Sequence, residues 1–338
     1  MKLDFQHTQA AHCENGVTTS LLRHHGVSQI TEPLAFGIGS GLFFIYIPFM
    51  KINNGPAIAF RTQPGLIFKR TCRALGIQVE RKKFRSKQEA EKILMKCLAA
   101  GQPVGCQVGV YYLTYFPKEY RFHFNAHNLI VYGKEEDNYL ISDPVMEMAT
   151  SLSSFELERV RFAKGAFAPR GQLYYPKEKS EVTDEQIKKA IRSGINRNIS
   201  FMLRIPGPIA GINGIRFIAK KIRLWRDKLG PEKSGSYLAQ LVRMQEEIGT
   251  GGGGFRFIYG AFLQEAYAYH PLDELINISR QFTRSGDVWR SAAVQAAGIY
   301  KGRIGSQADF NVMSDYLNTA ADIEKEAFQA LSKIKWPA

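Results

Sequence analysis

The chain is 338 residues long, with 45% hydrophobic and 22% charged residues. That balance is that of a folded soluble protein rather than a disordered one, and the length allows two domains of ordinary size or one large one. The net charge of +14 comes from 23 basic against 15 acidic residues in 1–180 and 22 against 16 in the remainder, so it belongs to the whole surface rather than to a tail and attracts acidic partners: nucleic acid, anionic lipid or an acidic protein.

The opening, "MKLDFQHTQAAHCENG", has no apolar run of signal-peptide length, and none is expected to direct secretion. "GVTTSLLRHHG" then reads as a short helix closed by Gly26, with Val17, Leu21 and Leu22 on one face. The most hydrophobic stretch, "LAFGIGSGLFFIYIPFM" at 34–50, carries three glycines, a serine and a proline and is short for a bilayer span. It is expected to be a buried strand-and-turn segment. Its "FGIGSG" lacks the spacing and following helix of a dinucleotide fingerprint and reads as a tight turn packed near the active site.

"KQEAEKILMKCLAAG" is predicted helical, with Ile93, Leu94, Cys97 and Leu98 as its apolar stripe and Gly101 as its stop. "PVGCQVGVYYLTYF" is rich in strand formers. "AHNLIVYG" and "NYLISDP" read as a hairpin turning at 134–137, and "RGQLYYP" as a last strand. Residues 1–178 are thus an α+β domain with an antiparallel sheet. The polar "PKEKSEVTDEQ" at 176–186 is the linker, and 185–338 is a second, mostly helical domain. Its predicted helices are "EQIKKAIRSGINRNI", "GIRFIAKKIRLWRDKLG", "SYLAQLVRMQEEIG", "FRFIYGAFLQEAYAY", "PLDELINISRQFTRSG", "DVWRSAAVQAAGIYKG" and "NVMSDYLNTAADIEKEAFQALSKI".

Chemistry concentrates in the first domain. A cysteine in the first turn of a helix gains thiolate character from unpaired N–H groups and the positive end of the dipole. Cys13 has that position, although a lone cysteine also serves as a small buried hydrophobe. His127 opens one strand of the hairpin and Asp143 ends the other, which brings the two side by side. A histidine so oriented can take a thiol proton and return it to a leaving group; otherwise the pair is a surface histidine and an Asp-Pro turn. Four cysteines, Cys13, Cys72, Cys97 and Cys106, show neither CxxC spacing nor matching histidines, so no disulfide framework and no metal site is expected, and their usage fits a reducing cytoplasm.

Together these pieces resemble the papain-like fold, in the bacterial branch that includes leader-cleaving peptidases of peptide exporters. More narrowly, "HCENGVTTSLLRHHG" and "ITEPLAFGIGSGLFFIY" resemble the N-terminal domain of the BtrH family of butirosin-biosynthesis acyltransferases. "RMQEEIGTGGGGFRFIYGAFLQEA" resembles the helical domain that accompanies it. The resemblance implies an acyltransferase without a bound cofactor. Its partners would be an acidic acyl carrier protein, whose phosphopantetheine thioester supplies the acyl group, and a small-molecule amine or hydroxyl that receives it. In one respect the chain departs from the pattern. Where papain-like enzymes place a glutamine six residues before the cysteine as an oxyanion donor, this chain has His7, with Gln6 and Gln9 on either side as the other candidates.

Two further features have competing readings. "GTGGGGFR" has no P-loop lysine; it is a flexible turn or an anion site at the start of the next helix, with Arg256 and Tyr259 as candidate contacts for a phosphopantetheine phosphate. In "GIRFIAKKIRLWRDKL", Ile215, Ile218, Ile222, Trp225 and Leu229 form a stripe, with Lys220, Lys221 and Arg223 off it. That pattern is a core helix with a solvated basic face, or a docking face for a carrier protein or an anionic membrane. No stretch has the interleaved aromatics of a nucleic-acid binder. A hydrolase using the same three residues, and a non-catalytic binding module, remain the alternatives to acyl transfer. The sequence does not give an oligomeric state.

Overall fold

The computed structural model describes residues 1–52 and 55–337; the last residue of the expected second domain, 338, lies outside them. In chain order the elements begin with α1 (Cys13–His24), α2 (Glu32–Ile38), β1 (Leu42–Ile52), β2 (Gly55–Arg61), α3 (Leu66–Ala74), β3 (Val79–Lys82), α4 (Lys87–Ala99), β4 (Val104–Val108), β5 (His127–Glu135) and β6 (Asn138–Ser142). They continue with β7 (Thr150–Ser153), α5 (Ser154–Arg161), β8 (Leu173–Pro176), α6 (Asp184–Ile199), α7 (Gly211–Ile222), α8 (Trp225–Val242), α9 (Arg256–Tyr269), α10 (Asp273–Tyr300) and α11 (Gln307–Leu331).

The chain divides into two compact units, Met1–Ala35 with Ile67–Thr183, and Phe36–Leu66 with Asp184–Ala338. Two consecutive segments are expected from the sequence; instead residues 36–66 are grouped with the second unit. The reason is their apolar content. Phe44 lies against Trp289 and Phe60, and Tyr46 against Phe217, so the hairpin β1–β2 completes the core of the helical unit. The stretch 34–50 is also not strand throughout: its first residues close α2, Gly41 N donates to Phe36 O, and β1 starts only at Leu42. The "FGIGSG" turn exists, and it lies in the second unit, where a side chain on Gly37 would collide with Phe262.

In the first unit a six-stranded antiparallel sheet has the order β3-β8-β4-β5-β6-β7. Strand β5 is central and buried from His127 to Gly133, which is why it reads as an almost unbroken apolar run rather than an alternating one. Leu129 and Val131 from β5, Val104 and Cys106 from β4, and Leu94 and Leu98 from α4 share one core cluster. The predicted strand after Pro103 stops at Val108, and residues 110–112 form a single 3-10 turn. Helix α1 packs on β5 through Val17, Leu21 and Leu22, all fully buried. Gly26, at φ +99°, closes it in a conformation that a side chain would strain.

In the second unit the predicted helices merge or split. Helix α10 runs unbroken through Gly286, whose missing side chain leaves room for the Phe257 ring. The segment 214–230 breaks after Ile222, and Gly230, at φ +75°, kinks the helix that follows. The glycine-rich loop is a turn, not an anion site: Gly251, Gly252, Gly253 and Gly254 all have positive φ, and Gly253 N donates to the Glu246 carboxylate. Arg256 is fully buried. Its Nε and Nη2 donate to Glu324 at 2.9 Å each, and Nη1 donates to Gly254 O at 2.7 Å. Glu324 also accepts from Ser285 Oγ and Trp289 Nε1, at 2.8 Å each. Tyr259 is equally buried, among Phe262, Phe282 and Phe328. The expectation that Arg256 and Tyr259 contact a phosphate is therefore corrected: the guanidinium is already neutralised inside the core, and the phenol lies among phenyl rings.

A buried guanidinium without its carboxylate is strongly destabilising. Glu324→Ala is expected to lower unfolding stability by about 3–5 kcal/mol in denaturant titration, and the pair Arg256→Met with Glu324→Leu to recover most of that loss.

Candidate active site

Several contacts fix the start of α1. His12 is its N-cap, extended in backbone, with Nδ1 accepting from Asn15 N at 3.3 Å. His12 thus has a structural role at the start of the helix. The Glu32 carboxylate accepts from Ala11 N at 3.0 Å and His12 N at 2.8 Å, so the turn leading into Cys13 is held from α2. Burial raises the Glu32 pKa, and these backbone bonds oppose the rise. Glu14, one residue past the cysteine, is buried and accepts from Ile67 N at 2.9 Å, capping α3. Cys13 itself is 7% exposed.

The hairpin β5–β6 supplies the histidine and the carboxylate. His127 Nε2 lies 2.6 Å from Asp143 Oδ2, and a second hydrogen bond joins the ring to the Cys13 side chain, which leaves Nδ1 for the sulfur. Asp143 is fully buried and well supplied with donors: Tyr115 Oη–H reaches the same Oδ2 at 2.7 Å, and Val145 N reaches Oδ1 at 3.2 Å. Phe116 stands edge-on to the imidazole, 5.4 Å between ring centres, and covers it. Burial alone would lower the His127 pKa. The charges on Asp143 and Cys13, with hydrogen bonds to both, outweigh it and push the value up to about 10. Burial pushes the Tyr115 phenol well above its usual value, with the Asp143 charge adding to it, so the phenol stays a donor.

Glycine sets the spacing between α1 and the hairpin. A Cβ on Gly16 would lie 2.4 Å from the Pro144 side chain and 2.7 Å from that of Ala10, so only glycine lets the Asp143-Pro144 turn approach the first turn of α1. Ala10 N donates to Pro144 O at 2.7 Å across the same contact.

The expected oxyanion donors fare differently. Both ring nitrogens of His7 are engaged, Nδ1 with Ser142 Oγ at 2.8 Å and Nε2 with Met146 O at 3.1 Å. His7 therefore fastens the N-terminal segment to the hairpin instead of offering an N–H to an oxyanion. Gln6 and Gln9 are exposed. On α7 and beyond it, Lys220 is exposed and Lys221 lies over the Phe217 ring. Arg223 is bound to Ser314 and Asp315 of α11, so it is not a free cation of the basic face. Lys220 also borders an open groove in the second unit with Gly207, Pro208, Asn213, Arg216 and Phe217.

Three site residues escape a sequence reading. Tyr115 lies in a stretch read as strand. Glu32 belongs to a helix that the sequence does not announce. Asn128 is a buried polar residue in an apolar strand, next to His127, and it places Nδ2 3.8 Å from Cys13 Sγ. A polar side chain there needs partners, and that need was the available signal. Among the described residues no group of three or more His, Cys, Asp or Glu side chains is placed to hold a metal ion. None of the four cysteines is in a disulfide, and no helix among the described residues is long and apolar enough to cross a membrane.

A cysteine at a helix start, facing a histidine on an antiparallel sheet, is the architecture of papain-like cysteine enzymes, α+β proteins that carry out acyl transfer or hydrolysis. The chain belongs to the family whose model matches over half of it, one described only as a domain of unknown function. Residues 12–144 match "Butirosin biosynthesis protein H, N-terminal", and residues 155–331, over half of the chain, match "Domain of unknown function (DUF4872)". Among solved structures, a Bacillus anthracis protein described as a C39-like peptidase is similar to it, at 15% identity and a TM-score of 0.34, over 53% of this chain and 100% of that one. No curated protein matches the chain.

A pKa raised in the folded state means that the protonated imidazole stabilises the fold fully below pH 6.5, and that this contribution is lost as pH rises through about 10. In protein labelled with 15N-histidine, NMR is expected to show His127 protonated past pH 9. Asp143→Asn should bring its titration down by about one to three pH units. A wild-type midpoint near 6.5 would contradict the ion pair. Gly16→Ala is expected to displace the Asp143 turn and slow Cys13 chemistry about a hundredfold, with the circular dichroism of the fold retained.

Proposed function

We propose that the protein is an acyltransferase that moves an acyl group from an acyl-carrier-protein thioester, through a thioester on Cys13, to an amine or hydroxyl acceptor in secondary-metabolite or lipid biosynthesis. One observation carries the reading: His127 bonds both to Asp143 and to Cys13, in a site closed to water on the Asp143 side. The Cys13 thiolate attacks the thioester carbonyl. The carrier's phosphopantetheine sulfur leaves with the proton held by His127, and the acyl-Cys13 thioester remains. The acceptor then attacks that carbonyl and gives its proton to His127, and the Cys13 thiolate is regenerated. Asp143 keeps the imidazole oriented and stabilises its charged form throughout.

The +14 charge suits an acidic carrier, and Lys220 with Lys221 supplies basic groups on the second unit for such a contact. Four reduced cysteines suit the cytoplasm. The phosphopantetheine belongs to the carrier, and no cofactor resident in this protein is part of the scheme. The family description names butirosin biosynthesis, which is consistent with an acyl group passed to a small molecule.

Intact-protein mass spectrometry after mixing with a panel of acyl-carrier thioesters tests the reading. A mass gain equal to the acyl group is expected in wild type and not in Cys13→Ala, and it should be discharged by an added amine. Discharge by water at the same rate with and without amines would assign hydrolysis instead. No gain from any thioester, with Cys13 no more reactive to alkylation than Cys72, Cys97 or Cys106, would overturn the proposal.

A further inference from the structure

The catalytic reading accounts for the donors around Asp143, but it leaves the buried side of the cysteine unexplained. There the Asn128 side chain, 3% exposed, directs Nδ2 at Cys13 Sγ from 3.8 Å. Its orientation follows from its partners. Ala126 O lies 3.1 Å from the same terminal group, and since a carbonyl only accepts, that group must be the NH2. The other terminal atom, Oδ1, accepts from Tyr174 Oη–H at 2.8 Å. Burial and the nearby Glu14 and Cys13 keep the Tyr174 phenol protonated well beyond its usual range, so it stays a donor. The amide therefore uses one N–H on Ala126, its oxygen on Tyr174, and its second N–H on the sulfur, so both of its donors are taken.

Tyr174 is in turn held by its surroundings. Its ring crosses β4 at Gly105, where a Cβ would lie 2.5 Å from it, and Phe68 of α3 packs against it at 4.7 Å between ring centres. A glycine as the second residue of a five-residue strand that is buried throughout is costly for that strand. Here it opens the room that the Tyr174 ring takes up.

We infer that Asn128 is a second hydrogen-bond donor to the Cys13 thiolate, complementary to His127, and that Tyr174 is the positioning residue that turns its amide toward the sulfur. This rests on the proposed nucleophilic role of Cys13 and adds to it a buried donor on the strand residue directly after the histidine. An N–H directed at sulfur favours the anion over the thiol and so extends the thiolate to lower pH. No proton moves along this bond, and the amide remains neutral through the cycle.

The test is the pH profile of Cys13 alkylation by iodoacetamide between pH 4 and 9, read by peptide mass spectrometry, with the other three cysteines as internal references. In wild type Cys13 should react fastest and keep reacting at pH 6. Asn128→Ala should lower its rate at pH 6 about tenfold, Tyr174→Phe about threefold, and both should approach the wild-type rate by pH 9. Asn128→Asp has the same shape and still accepts from Tyr174, but it presents oxygen to the sulfur. It should shift the profile further than alanine, which guards against misreading a packing defect. A merely structural role would lower the rate equally at all pH values, and that result, or unchanged profiles in folded Asn128→Ala and Asn128→Asp, would overturn the inference. A wild-type Cys13 without selective reactivity would instead defeat the nucleophile reading on which it rests.

Discussion

The site depends on a carboxylate taken out of water and surrounded by donors. Asp143 is inaccessible to solvent, and its two oxygens accept from His127, Tyr115 and the Val145 amide. A buried charge with too few partners would be neutralised or would open the structure. With three donors it instead becomes a fixed negative point against which an imidazolium is stable. Each donor comes from a different piece of chain: the start of β5, the loop after β4, and the turn after β6. That one anion therefore ties together the segments that form the wall facing Cys13.

The opposite wall is built by contacts that have little to do with chemistry. Glu32 holds the amides ahead of the cysteine, His12 caps the helix, and Gly16 yields space to Pro144. Their common effect is to set a sulfur and a ring nitrogen at bonding distance without relying on the flexible side chains themselves. Positioning of this kind matters because catalytic bonds lose effect over fractions of an ångström.

The second unit repeats the theme away from any reaction. Glu324 collects Arg256, Ser285 and Trp289, and through Arg256 it also fastens the carbonyl of Gly254. The run of glycines is thus explained by backbone shape: consecutive positive φ values carry the chain from the segment around Glu246 to the start of α9 with Arg256 turned inward. The same residues, seen only as letters, admit either a flexible turn or an anion site. The anion is there, but it is a carboxylate of the protein's own core.

Local pattern made a large part of this legible. The spacing of Val17, Leu21 and Leu22 with Gly26 after them determined α1; the stripe on 87–99 determined α4; and the two apolar runs around a polar turn determined the hairpin whose ends carry His127 and Asp143. These features depend on neighbours a few residues apart, so sequence alone suffices for them. What needed the tertiary structure is whatever joins distant segments: Tyr115 and Asn128 beside the reactive groups, His7 consumed by Ser142 and Met146, residues 36–66 grouped with the helical unit, and Arg256 buried against a glutamate 68 positions along the chain. The physical reason is the same in each case. A polar group's role is decided by which partner satisfies it, and periodicity carries no record of partners brought in from elsewhere in the chain.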